Sequence, residues 1–350
     1  MGMNILILVG GVLLLLVGGR LMVSASVDTA RRLRVSPLVV GLTLVAWGTS
    51  APEFALNTVS AFKGRSDLSL GNIVGANICN LSLVLGACAL IRPLVVTERL
   101  IRVEIWMNAA VLGLLAVAGT LFGLQPWLAA LMLGVFGAYS VWTVMAALRK
   151  TEKAPSPAAA DIIGPDPGHP GPPMSWLMIG TCFAGGLALL SAGGSFASDA
   201  ASAIAIALGV PGVVVGVTIV SIGTTLPELV TGTMAVRRGQ TDLAVGNALG
   251  SCLFNAGAIF GVTSLITPPA APEGLTVALL FMGGLAIALV PISRTHNRTI
   301  SRLEGAALLA AYAAFLAISA LSVTRGRDGS ASPETGLMMP AANTAVVECL

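Results

Sequence analysis

Shifted along itself by 175 residues, the chain matches itself through 40 consecutive positions without a gap. Gly41-Leu-Thr-Leu-Val-Ala-Trp-Gly-Thr-Ser-Ala-Pro-Glu53 lies over Gly216-Val-Thr-Ile-Val-Ser-Ile-Gly-Thr-Thr-Leu-Pro-Glu228. Asp67-Leu-Ser-Leu-Gly-Asn-Ile-Val-Gly-Ala-Asn-Ile-Cys-Asn80 lies over Asp242-Leu-Ala-Val-Gly-Asn-Ala-Leu-Gly-Ser-Cys-Leu-Phe-Asn255. Fifteen of the 40 positions are identical. Apolar sequence returns chance matches among Leu, Val and Ala, but not matched Thr, Pro, Glu, Asp and Asn. The chain is therefore a duplication, and any fold assigned to one copy must suit the other.

The setting of that duplication is a membrane. Only 10% of residues are charged and 55% are apolar, with a mean hydropathy of +0.90. Soluble domains carry roughly 25% charged residues, so a water-soluble enzyme is excluded. Few aromatics and no basic stripe leave nucleic-acid binding without support. A bilayer core takes about 20 apolar residues per helix. Ten segments qualify, near 3–25, 37–62, 69–91, 102–122, 127–148, 175–207, 212–236, 243–266, 274–293 and 302–324. The predicted fold is an all-α polytopic membrane protein of ten transmembrane helices. Met1 to Leu16 lacks a basic flank and a small-residue cleavage site, so it reads as the first membrane helix.

The duplication sets the domains. Residues 1–148 form the first five-helix half, with its repeat at 37–91, and 175–324 form the second, with its repeat at 212–266. Between them 149–174 holds seven prolines and reads as a linker, and 325–350 reads as a disordered tail. Five spans is an odd number, so the second half must enter the membrane from the opposite side. The two halves are thus expected to be inverted repeats, an architecture of secondary transporters. Lys and Arg counts assign the sides: fourteen fall on the linker side and four on the other. The positive-inside rule then puts the linker in the cytoplasm and both termini outside. Lys63 and Arg65 fall outside and their repeat equivalents Arg238 and Gln240, with Arg237, fall inside.

Glu53 and Glu228 are the only carboxylates near the middle of a predicted span; Glu98, Glu104, Glu273 and Glu304 fall at or near helix ends. A charge at the bilayer centre costs about 2.5–3.5 kcal/mol on insertion scales. Two at equivalent points call for a shared proton or cation. Pro52 and Pro227 precede them, and proline has no N–H and clashes one turn back. Each helix should break beside its carboxylate, freeing the carbonyls of Gly48 and Gly223. Thr49, Ser50, Thr224 and Thr225 add hydroxyls there, while Asn72, Asn77, Asn80, Asn247 and Asn255 bring amides from the partner helices. Asn80 and Asn255 are the deeper amides and the better candidate ligands. Cys79, Cys88, Cys182 and Cys252 read as small buried hydrophobes, and His169 and His296 fall outside the spans. The donor inventory is hard oxygen. Calcium takes 6–8 such ligands flexibly, and two carboxylates neutralise one Ca2+. Sodium can use subsets of the same oxygens.

These motifs resemble the two alpha repeats of the calcium/cation antiporter superfamily, especially its bacterial sodium/calcium exchanger branch. The element G-x-T-x-V-A-x-G-T-S-x-P-E is met at 41–53 with a counterpart at 216–228, and the Gly-Asn-x-x-Gly element at 71–80 and partly at 246–255. The resemblance implies a Ca2+/Na+ antiporter, not an enzyme, that needs no cofactor, works as a monomer in a prokaryotic inner membrane, and slides helices 1 and 6 across an ion core. It implies Glu53 and Glu228 as central Ca2+ ligands with the Thr49 and Thr224 carbonyls. Ser50, Thr225, Ala46, Ser221 and Ser251 match positions that line Na+ sites, and Asn80 and Asn255 match the central polar pair. Asn255 stands where some relatives carry Asp, Ala76 replaces a Ser and keeps only its carbonyl, and Cys252 replaces an Asn. The coupling ion therefore stays open between Na+, H+ and K+-assisted Na+, and a passive cation channel is a different-class alternative. Asp199 aligns with Ser24 and is expected toward the outside of helix 6, away from Arg20.

Overall fold

The computed structural model describes residues 1–152, 174–210, 219, 221–268 and 275–328. Among these residues the molecule is helical throughout except for one two-residue β ladder. Eight helices are long and apolar enough to cross a membrane, and a ninth span is a bent pair.

In chain order, α1 is Gly2–Leu33, and α2 (Pro37–Thr49) and α3 (Ala51–Phe62) form the bent pair. The next helix, α4, joins Ser66–Cys79 to Leu85–Ile91 through a π-helical turn at Asn80–Val84. Then come β1 (Leu94–Val95), α5 (Leu100–Leu121), α6 (Pro126–Glu152) and α7 (Trp176–Ala207). The second half continues with α8 (Ser221–Thr224), α9 (Leu226–Arg237), α10 (Thr241–Ile266), α11 (Leu275–Ile292), β2 (Thr299–Ile300) and α12 (Arg302–Asp328).

Element boundaries repeat at the sequence offset. Ala51–Phe62 and Leu226–Arg237 are 175 residues apart, as are Ser66–Cys79 and Thr241–Phe254. Besides π-helical turns at Gly41–Val45 and Leu100–Glu104, a matched pair interrupts α4 at Asn80–Val84 and α10 at Asn255–Ile259. Single π turns inside α-helices often mark functional sites. Both begin at an Asn singled out by the repeat.

The prolines do what their chemistry dictates. Pro52 and Pro227 sit in the first turn of α3 and α9, where a missing N–H costs nothing. Just before them the backbone leaves the helical region: Ser50 has φ −91°, ψ 5° and Thr225 φ −93°, ψ 2°. The α2–α3 pair bends by 46° there.

Glycines let the long helices touch. A Cβ on Gly11 would fall 2.9 Å from the Gly193 carbonyl oxygen, and one on Gly18 2.8 Å from that of Gly186. The pairing order makes α1 and α7 antiparallel, with backbones in contact. The same holds for α5 and α11, where a Cβ on Gly119 would meet Leu279 and one on Gly283 would meet Ala116. An aromatic cluster of Trp47, Phe54, Phe136 and Phe254, with ring centroids 5.7–6.5 Å apart, packs the α2–α3 bend against α6 and α10.

Two boundaries differ from the sequence reading. The predicted linker begins four residues too early, because α6 continues through Glu152. The predicted tail also begins too early, because α12 continues through Asp328. Of the expected seventh span, 212–236, residues 212–218 and 220 lie outside the described residues, as do the rest of the linker and of the tail.

Candidate functional site

The two helix breaks meet. Ser50, in the first break, donates its hydroxyl to Glu228 Oε1, just after the second, at 2.9 Å. Thr49 donates to Asn247 Oδ1 of α10 at 3.2 Å. Glu53 and Glu228 lie close enough to interact electrostatically. Their exposures are 3% and 1%, so neither is solvated. Among the described residues neither has an Arg or Lys partner, and the Oε2 atom of each accepts no hydrogen bond.

The flanking helices add more polar atoms in the same condition. Thr49, Ser50, Thr225, Asn80, Asn255 and Ser251 are all buried. Both amide atoms of Asn80, Asn255 Oδ1, Ser251 Oγ, Asn77 Oδ1 and Asn247 Nδ2 are enclosed without a hydrogen-bond partner. The π turn starting at Asn80 packs on α9 and α10, and the one starting at Asn255 packs on α3 and α4. Native proteins leave only a few such groups per 100 residues. Here they gather on the four helices that carry the repeat, and most are oxygens. An enclosed set of carboxylate, amide and hydroxyl oxygens with no Lys or Arg beside it among the described residues has the chemistry of a hard-cation site.

The other residues singled out from sequence are placed as follows. Ala46 is fully buried against α10, where a Cβ on Gly250 would fall 2.8 Å from its own Cβ. Ala76 is buried in α4, and Thr224 ends α8. Ser221 opens α8, and its side chain lies outside the described residues. Among the described residues no three His, Cys, Asp or Glu side chains cluster, so the carboxylates number two and the remaining donors are neutral.

Sequence reasoning missed several neighbours. Asn57 is 1% exposed and donates from Nδ2 to the Glu53 carbonyl at 2.7 Å. Its position one turn beyond Glu53 was the available signal. The Cys79 thiol hydrogen-bonds with Thr225 and with Tyr312 of α12; nothing in the local sequence announces Tyr312. Glu104 is another such residue. It lies near the start of α5, as expected, and is fully buried, with Arg99 Nε 3.1 Å from Oε1 and the Tyr139 hydroxyl donating to Oε2. Asp28 is buried too, paired with Arg31 at 3.1 Å and accepting from the Met174 N–H at 3.1 Å.

Comparison with known proteins falls on the same elements. A family profile described as sodium/calcium exchanger protein matches residues 3–145 and again 179–321, once in each half. The "Putative antiporter CaxA" of Alkalimonas amylolytica is 35% identical over 88% of this chain and 96% of its own length. The sodium/calcium exchanger MaX1 of Methanosarcina acetivorans is 29% identical over 90% of this chain and 98% of its own. Among solved structures, the sodium-calcium exchanger NCX_Mj superimposes with a TM-score of 0.75 at 28% identity, covering 90% of this chain and 98% of that one.

Fold and site together define an integral membrane transporter of the cation-exchanger class. Its relatives are exchangers rather than enzymes. The chain belongs to the sodium/calcium exchanger family.

Proposed function

We propose that this protein is a secondary active antiporter that exchanges Ca2+ for Na+ by alternating access. The observation that carries the reading is the buried pair Glu53 and Glu228, brought together at two helix breaks and left without a cationic partner. Two carboxylates neutralise one Ca2+, and the surrounding amide and hydroxyl oxygens suit its high, flexible coordination number. Magnesium, reluctant to shed water, suits this site less well. Thr49 and Thr224 would contribute carbonyls, and Ser50, Thr225, Ala46, Ser221, Ser251 and Ala76 would line the Na+ positions. Asn80 and Asn255 would complete the centre. Na+ bound to subsets of these oxygens competes with Ca2+ for the same two charges, which couples the two fluxes.

The reading extends to topology. Ten spans in two inverted five-helix halves agree with the antiparallel contact of α1 with α7 and of α5 with α11, since each pair is related by the repeat. The charge counts favour outside termini and a cytoplasmic linker. A prokaryotic inner membrane fits the relatives, and one chain carries both carboxylates, so a monomer is a sufficient functional unit.

A second reading, Ca2+/H+ exchange, is favoured by Ala76, which brings no hydroxyl to a position of the Na+ set. Purified protein in proteoliposomes separates the two. Ca2+ uptake driven by an outward Na+ gradient at equal pH supports Na+ coupling. Uptake driven by a pH gradient in Na+-free buffer, with none under the Na+ gradient, overturns it. Uptake down the Ca2+ gradient that ignores both would mark a channel.

A further inference from the structure

The sequence repeat is matched by element boundaries but not by packing. Gly19 and Gly194 are repeat equivalents, as are the helices α9 and α3. A Cβ on Gly19 would fall 2.8 Å from Val230 Cγ1 and 3.4 Å from Met234 Cγ, so α1 lies directly on α9. A Cβ on Gly194 would meet Gly223 and Pro227 instead, and the α3 residues equivalent to Val230 and Met234, Ala55 and Val59, stand exposed. Leu56 is 46% exposed, whereas its equivalent Thr231 is 0%. One face of the core is covered by its long helix and the other is not.

The covered face is fastened by a polar contact. Arg238, at the end of α9, donates from Nη1 to Ser24 Oγ of α1 at 2.6 Å. The repeat maps Ser24 onto Asp199 of α7, and Arg238 onto Lys63 at the end of α3. Where one end pairs a guanidinium with a hydroxyl, the other offers an ammonium and a carboxylate. Asp199 is exposed, and no ion pair to it occurs among the described residues. Lys63 is exposed as well. In this conformation Lys63 has another partner, so a contact with Asp199 would be an exchange of partners.

We propose that Asp199 and Lys63 form a latch that fastens the opposite-facing conformation. In that conformation α7 lies on α3 as α1 now lies on α9. Gly194 seats on Ala55 and Val59, and the Asp199–Lys63 pair takes over the part now played by Ser24 and Arg238. This rests on the inverted-repeat antiporter reading above and adds to it a specific residue pair. An ion pair in place of a charge–hydroxyl contact also makes the two ends unequal, so salt and charge substitutions act on one state and not on the other. Exposed ion pairs shift an equilibrium by about two- to fivefold.

The test combines flux with distance. Exchange rates are compared in wild type, Asp199→Lys, Lys63→Asp and the double charge swap, all reconstituted as full chains. Single reversals are expected to slow exchange about two- to fivefold, with the swap restoring most of the rate. Spin labels at positions 24 and 238, and separately at 63 and 199, report the two ends. Conditions that lengthen the 24–238 distance should shorten the 63–199 distance. If the first lengthens while the second does not change, or if the swap rescues nothing, the latch is wrong and the antiporter reading stands. If wild type shows no gradient-driven exchange, the antiporter reading itself fails.

Discussion

Two pairs of buried carboxylates in this protein have opposite surroundings. Glu104 and Asp28 are as hidden as Glu53 and Glu228, at 0% and 3% exposure against 3% and 1%. Yet Glu104 has Arg99 and Tyr139, and Asp28 has Arg31 and a backbone N–H. Their charges are cancelled within the protein. Glu53 and Glu228 have hydroxyl and amide neighbours and each other. Burial alone therefore does not identify the site; burial without an internal counter-charge does. The first pair are structural ties near helix ends, and the second pair, under the proposed function, is where a cation would enter.

That contrast sets expected outcomes. The largest concerns Glu104→Ala, which strands the Arg99 guanidinium in the interior. Removing one partner of a buried pair costs about 3–5 kcal/mol, so thermal unfolding in detergent should move down by many degrees. The same measurement on Glu228→Gln should move little or upward, because no internal partner is stranded. Equal losses for the two would erase the distinction.

Ser50→Ala comes next. It removes the Ser50 hydroxyl that donates to Glu228 Oε1. Hydrogen bonds to charged groups contribute about 1.5–3 kcal/mol, but in this variant an incoming cation would offset part of that loss. Exchange should slow by about tenfold or less, read as initial 45Ca uptake, and Ser50→Thr should recover it. Smaller still is Thr49→Val, which loses the bond to Asn247 worth about 1 kcal/mol. Its stability should fall by that order, and apparent Ca2+ affinity should change less than in Ser50→Ala. Smallest is Asp28→Asn. Its partner Arg31 is partly exposed, so about 1 kcal/mol or less is at stake, with Ca2+ affinity unchanged. A change in affinity there would join the two classes that the geometry keeps apart.

Much of the fold was readable because the membrane restricts the vocabulary. Span positions follow from apolar length, and both helix breaks follow from Pro52 and Pro227. The repeat pointed to Glu53, Glu228, Asn80 and Asn255 together, since matched polar residues have no reason to recur in lipid except function. Other features depend on contacts between distant segments. No local pattern gives the π turns at Asn80 and Asn255, which are single inserted residues in otherwise helical sequence. Glu104 was rightly placed near a helix end, but its burial was not legible, because Tyr139 and Arg99 reach it from elsewhere. Tyr312 reaches Cys79 from 233 positions away in sequence, a distance no motif spans. The exposed α3 face and the covered α9 face are equally invisible, because repeat-related helices can pack in two ways.

The most direct measurement is equilibrium 45Ca2+ binding to purified full-length protein in wild type, Glu53→Gln, Glu228→Gln and Glu104→Gln. If Glu53 and Glu228 are the unpaired charges that hold the exchanged cation, both of their variants lose high-affinity binding while remaining folded, and Glu104→Gln retains it. Wild-type binding in either Glu53→Gln or Glu228→Gln would contradict the assignment outright.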